Sequence, residues 1–582
     1  MFGSGGDNKN LIIAIVVSLA ILLGFQFLYE MPRIREAQQR QQTIDATKPK
    51  VEPGAPGLAP APAQPGVVAP TVTPAEERAQ RVATTARVKL ASPKLAGSIA
   101  LQGARFDDLT LAGYREEVKP GSPNITLLSP AGTRTAYYAE FGWSAAGEAL
   151  KLPDATTEWR ANRTDLTVST PVTLTWDNGD GLTFERMIAI DANYLFTITQ
   201  RVTNRSAKAV TLYPWGLVTR SGTPPTLGFF ILHEGPLGVF DGTLAEYDYD
   251  ELQDKKRLTK KSTGGWIGFT DKYWLAALVP DQKEAFTATL NHQVQAGLDK
   301  YQVDFVGEGR ALAPGATIES TSRLFAGAKE VDVLDSYAEG FGIVSFDKAI
   351  DFGWFYFLTK PLFKLIAYFN QLLGNFGLAI LLLTVIVKLI FFPLANKSYK
   401  AMSIMKKLQP EMLKLRERYG EDRQRLNQEM MALYRREKAN PLAGCLPIAV
   451  QIPVFFALYK VMFVTIEMRH APFYGWIHDL SAQDPTSLFN LFGLIPWDPP
   501  LFLQIGIWPL IMGASMWMQQ KLNPTPPDPI QAKMFMLLPI FFTFLLANFP
   551  AGLVIYWTWN NVLSIAQQWV IMKREGVANP AA

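Results

Sequence analysis

Cysteine and charge are both scarce in this chain of 582 residues, which has one cysteine, Cys445, and 19% charged residues. A single thiol excludes a disulfide framework and a zinc or iron–sulfur site built from several cysteines. The charged share lies below the ~25% of average soluble chains. Lys and Arg number 56 against 52 Asp and Glu, so the net charge gives no reason to expect DNA as a partner.

Long apolar runs are what the sequence does have, and the first covers residues 11–29. This uncharged run is about as long as the ~20 residues that a membrane-spanning helix needs. The competing interpretation is a cleaved signal peptide, but no small-x-small cleavage site follows the run. We therefore predict that residues 1–30 form an uncleaved N-terminal transmembrane anchor.

The next two segments have the composition of a water-soluble chain. Residues 31–84 form a Pro/Ala-rich linker, with eight prolines between positions 46 and 74 that favour extended polyproline geometry. From 85 to 345 apolar and polar residues alternate, as in Val172, Leu174 and Trp176, which a Gly-rich turn and Leu182 follow. This pattern predicts a β-hairpin at that point and an all-β sandwich over the whole segment.

The remainder of the chain is predicted to be membranous. Residues 350–373 suit an amphipathic helix lying in the membrane interface. Residues 374–575 are predicted to form a five-helix core, and residues 576–582 a short tail. The predicted spans of the core are 376–394, 446–466, 503–520, 534–549 and 551–572. The fold class is therefore a multi-domain membrane protein: a six-helix α-helical transmembrane bundle with an all-β domain outside the membrane.

The distribution of Lys and Arg predicts the orientation of these spans. The loop 397–445 carries twelve basic and six acidic residues, so the positive-inside rule places it in the cytoplasm. Counting spans outward places both termini in the cytoplasm and the β-domain on the periplasmic side of a bacterial inner membrane. Three arginines after the first span oppose this orientation: Arg33, Arg35 and Arg40. The positive-inside rule alone would place them in the cytoplasm, so the predicted orientation follows the count of spans instead.

Lys388 is the one charge in the run 376–394. A lysine at the middle of a membrane helix costs ~2.5 to 3.5 kcal/mol, so it requires a hydrated cavity, a counter-charge or a function. Snorkelling of its stem to the headgroups is the alternative. No acidic residue lies inside any of the six predicted spans, which weakens the case for an ion-coupled transporter.

Several uncharged polar residues accompany Lys388 in the predicted spans. Asn561, Ser564 and Gln568 share one face of the last span, and the others are Thr384, Gln451, Asn560 and Gln567. Together they could line a hydrophilic groove that holds one positive charge. Ordinary hydrogen bonding between helices is the alternative.

The basic loop 397–445 is predicted to form a helical hairpin from helices at 399–418 and 422–438. Its apolar residues recur at helical spacing, and those predicted to form one seam in the first helix are Met402, Met405, Leu408, Met412 and Leu415. The excess of positive charge could bind anionic lipid, ribosomal RNA or an acidic protein. A solvated face that merely obeys the positive-inside rule explains the same charge.

No motif for covalent chemistry occurs in the chain. His233 and His292 lie at unrelated places in the β-domain, without a nucleophile elbow or metal-ligand spacing. We therefore expect no catalytic residue, metal or cofactor. Two alternatives stay open from the residues alone: a small-anion transporter or channel that uses Lys388, and a membrane-tethered carbohydrate-active β-domain.

Four sequence segments resemble the YidC/Oxa/Alb family of membrane protein insertases. They are PLFKL (361–365), the segment 408–445 that runs from LQPEM to PLAGC, WIHDLSAQDP (476–485) and FPAGLVIYW (549–557). The likeness spans about 350–575, and over the β-domain it is looser and similar to a mutarotase-like fold.

The resemblance implies insertion and folding of newly made membrane proteins, with the Sec translocon, the ribosome, targeting factors and membrane lipids as partners. It also implies a groove whose positive charge, usually arginine, corresponds to Lys388, with Thr384 at a polar groove position. Trp557 stands where a tyrosine is familiar, so any role of that hydroxyl would be absent or moved to Tyr556. An incoming apolar segment would leave along the third and fifth spans.

Overall fold

The computed structural model describes residues 73–574 apart from 146–149, 227–231, 296, 354, 420–421, 438–445, 496, 498, 501–503 and 524–528. The predicted anchor 1–30 and the linker as far as residue 72 lie outside the described residues, as does the tail 576–582. The described chain divides into two compact units, a β-rich unit that ends at Asp351 and a helical unit that begins at Phe352.

The β-rich unit begins with helix α1 (Pro74–Ala83). The side chain of Thr73 accepts a hydrogen bond from the backbone N–H of Glu76, and the Glu76 carboxylate accepts one from the backbone N–H of Thr73. This capping box starts the helix. Residues 74–83, which the sequence assigns to the linker, are therefore helical rather than extended.

Two mainly antiparallel sheets make up most of this unit, and one strand pair, which joins residues 89–90 to 165–166, is parallel. Twenty strands are found in the described residues of the unit. They are β1 (Arg87–Ala91), β2 (Leu95–Ala100), β3 (Phe106–Arg115), β4 (Asn124–Leu128), β5 (Tyr137–Ala145), β6 (Arg160–Ala161), β7 (Asp165–Leu166), β8 (Val172–Asp177), β9 (Leu182–Ile190), β10 (Leu195–Asn204), β11 (Val210–Ser221), β12 (Gly235–Phe240), β13 (Thr243–Glu246), β14 (Arg257–Thr263), β15 (Gly265–Thr270), β16 (Trp274–Val279), β17 (Ala285–Gln295), β18 (Leu298–Gly307), β19 (Arg310–Leu312) and β20 (Thr317–Ala328). Helices α2 (Tyr249–Lys255) and α3 (Val331–Gly340) complete the unit.

The two sheets have different strand orders. The eleven-stranded sheet runs β14-β17-β18-β11-β5-β3-β2-β1-β7, with β19 paired to β11 and β4 to β3. The nine-stranded sheet runs β13-β12-β15-β16-β20-β10-β9-β8-β6. The predicted hairpin is β8 and β9, in which Trp176 pairs with Phe184, and the alternation after Tyr194 is strand β10. The sandwich prediction is confirmed.

Aromatic side chains join the two sheets in the sandwich core. Phe106 of β3 packs edge to face on Phe196 of β10, with ring centroids 5.2 Å apart, and on Phe141 of β5 at 5.9 Å. All three rings are fully or almost fully buried. Arg186 of β9 also bridges the sheets, since its guanidinium donates to the carbonyl oxygens of Ala104 and Phe141.

The helical unit consists of α4 (Tyr356–Leu373), α5 (Phe376–Ile390), α6 (Phe392–Tyr419), α7 (Arg423–Arg436), α8 (Leu446–Val464), α9 (Ile507–Leu522), α10 (Pro529–Leu546) and α11 (Ala551–Arg574). Helix α4 packs on α5 and α8, whereas α11 packs on α5, α6 and α9, and α9 packs on α10. In the part of the chain that is described, no helix alone has the length and apolar character to cross a membrane; α5 and α6 meet that test only as a pair bent by 68°.

The bend between α5 and α6 differs from the sequence prediction of one helix over 376–394. Helix α5 ends at Ile390, and Phe391 caps it with a hydrogen bond from its N–H to the carbonyl of Val387 (3.1 Å). Pro393 has no N–H to continue the helix, and its ring would clash with the carbonyl four residues earlier. It is tolerated in the first turn of a new helix, so the chain restarts as α6 in a different direction.

Helix α4 occupies most of the predicted interfacial segment 350–373. Leu362, Phe363, Ile366 and Phe369 form its buried face, and Lys364 and Tyr368 are exposed. Phe357 and Leu372 of the same helix are also exposed, at 74% and 69%, so the exposed residues of α4 are both polar and apolar. Its placement in the plane of a membrane stays a prediction.

We expect Phe106→Ala to lower the free energy of unfolding of the β-rich unit by about 3 to 5 kcal/mol, because it removes a fully buried ring between the sheets. Urea denaturation of the purified chain, followed by tryptophan fluorescence, measures the change. Val118→Ala is the control, since Val118 is 50% exposed, and we expect a change within about 0.5 kcal/mol. Equal effects of the two substitutions would contradict the packing described here.

Candidate functional site

An open groove with a volume of about 440 Å³ lies among helices α5, α6 and α11. Its walls combine apolar side chains with a few polar and cationic ones, and none of its lining residues is acidic. The lining residues are Val385, Lys388, Leu389, Phe392, Asn396, Lys400, Leu563, Ala566, Gln567, Val570, Ile571 and Arg574. The bend at Phe391 contributes to the groove, because it brings residues from both α5 and α6 to the same wall.

Lys388 is held in this groove by helix α11. Its Nζ donates a hydrogen bond to Ser564 Oγ (2.7 Å), and Ser564 Oγ in turn donates to the carbonyl of Asn560 (2.7 Å). Ser564 is buried, whereas Lys388 is partly exposed and lines the groove. The ammonium is therefore fixed by a neutral partner on a neighbouring helix and also faces the open cavity.

Two further cations line the groove and were missed by the sequence analysis. Lys400 lies on α6 and Arg574 at the end of α11. Arg574 follows Ser564 by ten residues, which is about 15 Å along a helix. The groove is thus lined by three cationic side chains. Positive-inside reasoning places Lys400 and Arg574 at the cytoplasmic end, but their convergence with Lys388 depends on the packing of α6 on α11.

Three of the predicted polar residues make hydrogen bonds inside the helix bundle. Thr384 Oγ1 donates to the carbonyl of Ile380 (2.7 Å), and Asn561 Nδ2 donates to Ser515 Oγ on α9 (2.9 Å). Gln568 Nε2 donates to Asn523 Oδ1 (3.0 Å). All three predicted residues are buried, and none of them lines the groove of about 440 Å³. These bonds fit the alternative interpretation, in which the polar residues make ordinary hydrogen bonds within the helix bundle. The bonds of Asn561 and Gln568 reach another helix or its end, whereas the bond of Thr384 stays within α5.

The remaining predicted residues lie nearby. Gln451 Nε2 on α8 donates to the hydroxyl of Tyr556 (2.7 Å). Trp557 packs between Phe455 of α8 and Phe542 of α10, with ring centroids 4.7 and 5.7 Å away. Asn560 supplies the carbonyl that accepts from Ser564, and Gln567 lines the groove.

Helices α8 and α10 carry large apolar side chains that nothing in the described chain covers. Ile452 and Phe456 of α8 are 49% and 43% exposed, and Leu537 and Ile540 of α10 are each 57% exposed. Exposed apolar patches mark surfaces that contact lipid or another molecule. These are the third and fifth predicted spans, along which the family resemblance places the exit of an apolar segment.

The opposite end of α11 is covered by the loop 471–487. The backbone N–H groups of Ala551 and Gly552 donate to the carbonyls of Ala482 (2.7 Å) and Leu480 (3.0 Å). Ile477, Leu480, Ala551 and Ile555 form one buried apolar cluster beneath this contact, together with Ala471. The loop and the start of α11 therefore form a packed, hydrogen-bonded end.

Asp484 holds this loop to the start of helix α9. Its carboxylate accepts hydrogen bonds from Trp476 Nε1 (3.0 Å), from the Thr486 N–H and hydroxyl, and from the backbone N–H of Trp508 (2.9 Å). An acidic side chain at a helix N-terminus satisfies free N–H groups and complements the helix dipole. The segment WIHDLSAQDP therefore has a structural role that links the loop to α9.

The cytoplasmic hairpin of the sequence analysis corresponds to α6 and α7. Leu408, Met412 and Leu433 form its buried seam, with Met405, Leu415, Met430 and Tyr434 packed against them. Met402, which the 3.6-residue spacing assigns to the same seam, packs instead with Ala395, Tyr399 and Ile571. The exposed Arg436 bonds Glu411 of the other helix (2.8 Å), and its hydrogen bond to Glu437 raises the pKa of this guanidinium.

The histidines of the β-rich unit take part in local hydrogen bonds. His292 Nε2 lies 2.8 Å from Asp299 Oδ1, and His233 Nε2 lies 3.1 Å from the carbonyl of Pro236. Among the residues that the structure describes, no three His, Cys, Asp or Glu side chains are grouped so that they could hold a metal ion.

Comparison with known proteins covers nearly the whole chain. Residues 87–365 match the family model of the YidC periplasmic domain, and residues 368–577 match that of the 60Kd inner membrane protein. The membrane protein insertases YidC of Methylobacterium nodulans and of Rhizobium meliloti are 50% and 51% identical to it, over 98% of this chain and 96% of each relative. The crystal structure of an active YidC insertase with its first transmembrane domain resolved aligns with a TM-score of 0.35 and 16% identity, over 83% of this chain and 92% of that one.

We expect Asp484→Ala to lower the stability of the helical unit by about 1 to 2 kcal/mol, the usual effect of losing a helix cap. Thermal unfolding of the purified chain in detergent measures the loss. Asp479→Ala is a matched control in the same loop, because the hydrogen bonds found for the Asp479 carboxylate among the described residues come from the N–H and hydroxyl of its near neighbour Ser481. A melting temperature that falls equally in both variants would show that Asp484 has no special role.

Proposed function

The chain belongs to the YidC family of membrane protein insertases, and we propose that it receives newly made membrane proteins in the groove beside Lys388. It is an insertase rather than an enzyme, and an inner-membrane protein with a periplasmic domain. The small-anion transporter and the carbohydrate-active enzyme are not favoured, since the relatives are insertases.

The observation that carries the proposal is the position of Lys388 in an open groove of about 440 Å³, bonded to the neutral Ser564. No acidic side chain lines the groove, so Lys388 meets no carboxylate among the lining residues. Opposite charges attract strongly where the effective dielectric is low. The polar or acidic flank of an incoming chain would therefore be drawn to this groove.

Insertion then becomes easier for a physical reason. A hydrated groove shortens the apolar path that the polar flank of a substrate has to cross. Burial of the substrate's ~20-residue apolar segment in lipid supplies the driving force. The exposed apolar side chains of α8 and α10 offer that segment a surface along which it can move into the bilayer. No covalent step is required.

The proposed topology retains the predicted organisation. Six spans comprise the anchor in 1–30 and the five core helices in 374–575, and the segment 350–373 lies in the interface. The β-domain 85–345 is attached to the anchor through 31–84. The basic hairpin 397–445 and both termini would be cytoplasmic. In this orientation the end of the groove near Arg574 opens to the cytoplasm, where new chains arrive.

The proposed partners follow from the same arrangement. Nascent membrane proteins are the substrates, and the basic hairpin of α6 and α7 would contact the ribosome or targeting factors. Membrane lipids would contact α4 and the exposed faces of α8 and α10. The Sec translocon is proposed as a partner from the family resemblance. Among the proposed groove residues, Lys388 and Gln567 line the cavity directly, and Thr384, Gln451, Trp557, Asn560 and Asn561 shape the helices behind it.

We expect Lys388→Ala to lower the rate of substrate insertion about tenfold, since two unit charges ~4 Å apart attract by about 4 kcal/mol at an effective dielectric of 20 and a wet groove retains part of this. Lys388→Glu should lower it further by repelling acidic flanks, and Lys388→Arg should retain most activity. Insertion of several radiolabelled substrates into inverted membrane vesicles measures these rates.

The control for Lys388 is Lys521→Ala, which removes the same charge from the end of α9, where Lys521 lies over the ring of Trp517 and outside the groove. This variant should insert substrates normally. Full activity of Lys388→Ala with every substrate would remove Lys388 from the mechanism.

We expect photo-crosslinkers at Ile452 and Leu537 to capture a membrane protein stalled on its ribosome, because these side chains are exposed on α8 and α10. Two positions serve as controls: Leu458 of α8, which is buried, and Met518 of α9, which is 52% exposed. Neither should capture the nascent chain in comparable yield. Equal capture from Met518 and Leu537 would contradict a defined path along α8 and α10.

A further inference from the structure

The loop that precedes helix α9 exposes an unusual number of large apolar side chains. We call the described residues 488–495 and 497 the apolar loop; none of them is charged. Seven of its side chains are between 40% and 82% exposed: Leu488, Phe489, Leu491, Phe492, Leu494, Ile495 and Trp497. So concentrated an apolar surface is unfavourable in water and marks a contact with lipid or another molecule.

Several backbone N–H groups of the apolar loop are satisfied by local hydrogen bonds. The N–H groups of Phe492, Ile495 and Trp497 donate to the carbonyls of Ser487 (2.8 Å), Asn490 (3.0 Å) and Ile495 (2.8 Å). This matters because an N–H without a partner costs several kcal/mol in hydrocarbon. These bonds lower the cost of moving this part of the backbone into a low-dielectric environment.

Two consecutive residues at the tip adopt a conformation that bulky side chains avoid. Leu491 and Phe492 have positive φ angles of 47° and 59°. Left-handed backbone is uncommon for residues other than glycine, asparagine and aspartate. The turn that results leaves both side chains about half exposed, so packing within the described chain does not compensate for this conformation.

The base of the apolar loop is fixed to the membrane helices. The N–H of Leu488 donates to the carbonyl of Ile505 (3.0 Å), and the N–H of Ile507, the first residue of α9, donates to Thr486 Oγ1 (3.0 Å). Asp484 adds its bond to Trp508 of the same helix. The loop therefore lies at the end of the helical unit where α9 and α11 begin, in continuity with helices that the family places in the inner membrane.

Aromatic residues and charge at this end both favour lipid as the occupant. Tyr474 and Trp476 are 63% and 36% exposed in the adjoining loop, and such residues together with Trp497 are typical of the membrane–water interface. No Lys or Arg occurs between Arg469 and Lys521. A surface without cations binds lipid through apolar burial and not through attraction to anionic headgroups.

We propose that the apolar loop inserts into the lipid leaflet at the α9 and α11 start of the helical unit, as an interfacial anchor separate from α4. In the topology proposed above this is the periplasmic leaflet. This anchor sets the depth of the start of α11 in the membrane. Asp484 and Thr486 join the loop to the start of α9, and α9 packs on α11.

The single native cysteine makes a direct test possible. In a Cys445→Ser background, the variants Leu491→Cys and Leu494→Cys are labelled with the fluorophore NBD and reconstituted, one chain per nanodisc, into phosphatidylcholine. We expect blue-shifted emission that nitroxides on the lipid acyl chains quench and aqueous iodide does not. Addition of anionic lipid or of salt should leave the signal unchanged.

Two controls in the same full chain calibrate the signal. Lys119→Cys lies in the β-rich unit, where the Lys119 side chain is 85% exposed, and should be quenched by iodide alone. Met518→Cys on α9 should be quenched by the lipid nitroxides. If the Met518 label is quenched and the loop labels are not, the loop proposal is wrong; if the Met518 label fails as well, the proposed span arrangement is wrong. Blue-shifted loop emission without lipid quenching would indicate a protein contact and would also overturn the proposal.

Discussion

The need to solvate one ammonium on an otherwise apolar helix governs the arrangement of the helical unit. Helix α5 carries Lys388 near its end. The groove around the ammonium group of Lys388 is formed by three helices. Helix α11 supplies Ser564 as hydrogen-bond partner, and α6 supplies the outer wall because the chain turns at Phe391. Without that turn, Lys400 would follow the line of α5 and could not lie beside Lys388.

The two ends of α11 are built from different interactions. At its start, backbone hydrogen bonds to Leu480 and Ala482 and a buried apolar cluster leave the helix fully packed. At its other end, Gln567 and Arg574 line an open cavity. A groove that is open at one end of α11 and closed by packing at the other can admit a polar flank without forming a continuous path, which suits insertion better than conduction.

Local sequence signals predicted much of the fold, and tertiary contacts account for what they missed. Strict alternation around the Asp177–Gly181 turn was enough to identify β8 and β9, because a half-buried strand has a period of two. The capping box at Thr73 was also a local signal, but the Pro/Ala-rich composition of the linker concealed it. The helix break at Pro393 was concealed in the same way by the continuous hydropathy of the predicted span. Lys400 and Arg574 could not be assigned to the groove, because no spacing rule joins residues on α6 and α11.

The hydrogen bond from Lys388 to Ser564 also bears on what a lysine, as distinct from an arginine, does at this position. An ammonium has three donors and sits on a flexible stem, whereas a guanidinium presents a planar fork suited to bidentate contacts. Ser564 takes one donor and fixes the stem, so the charge points into the groove with donors left for water or a carboxylate. In this chain the direction of the charge therefore depends on a residue of α11, and a substitution at Ser564 would alter the site without removing its charge.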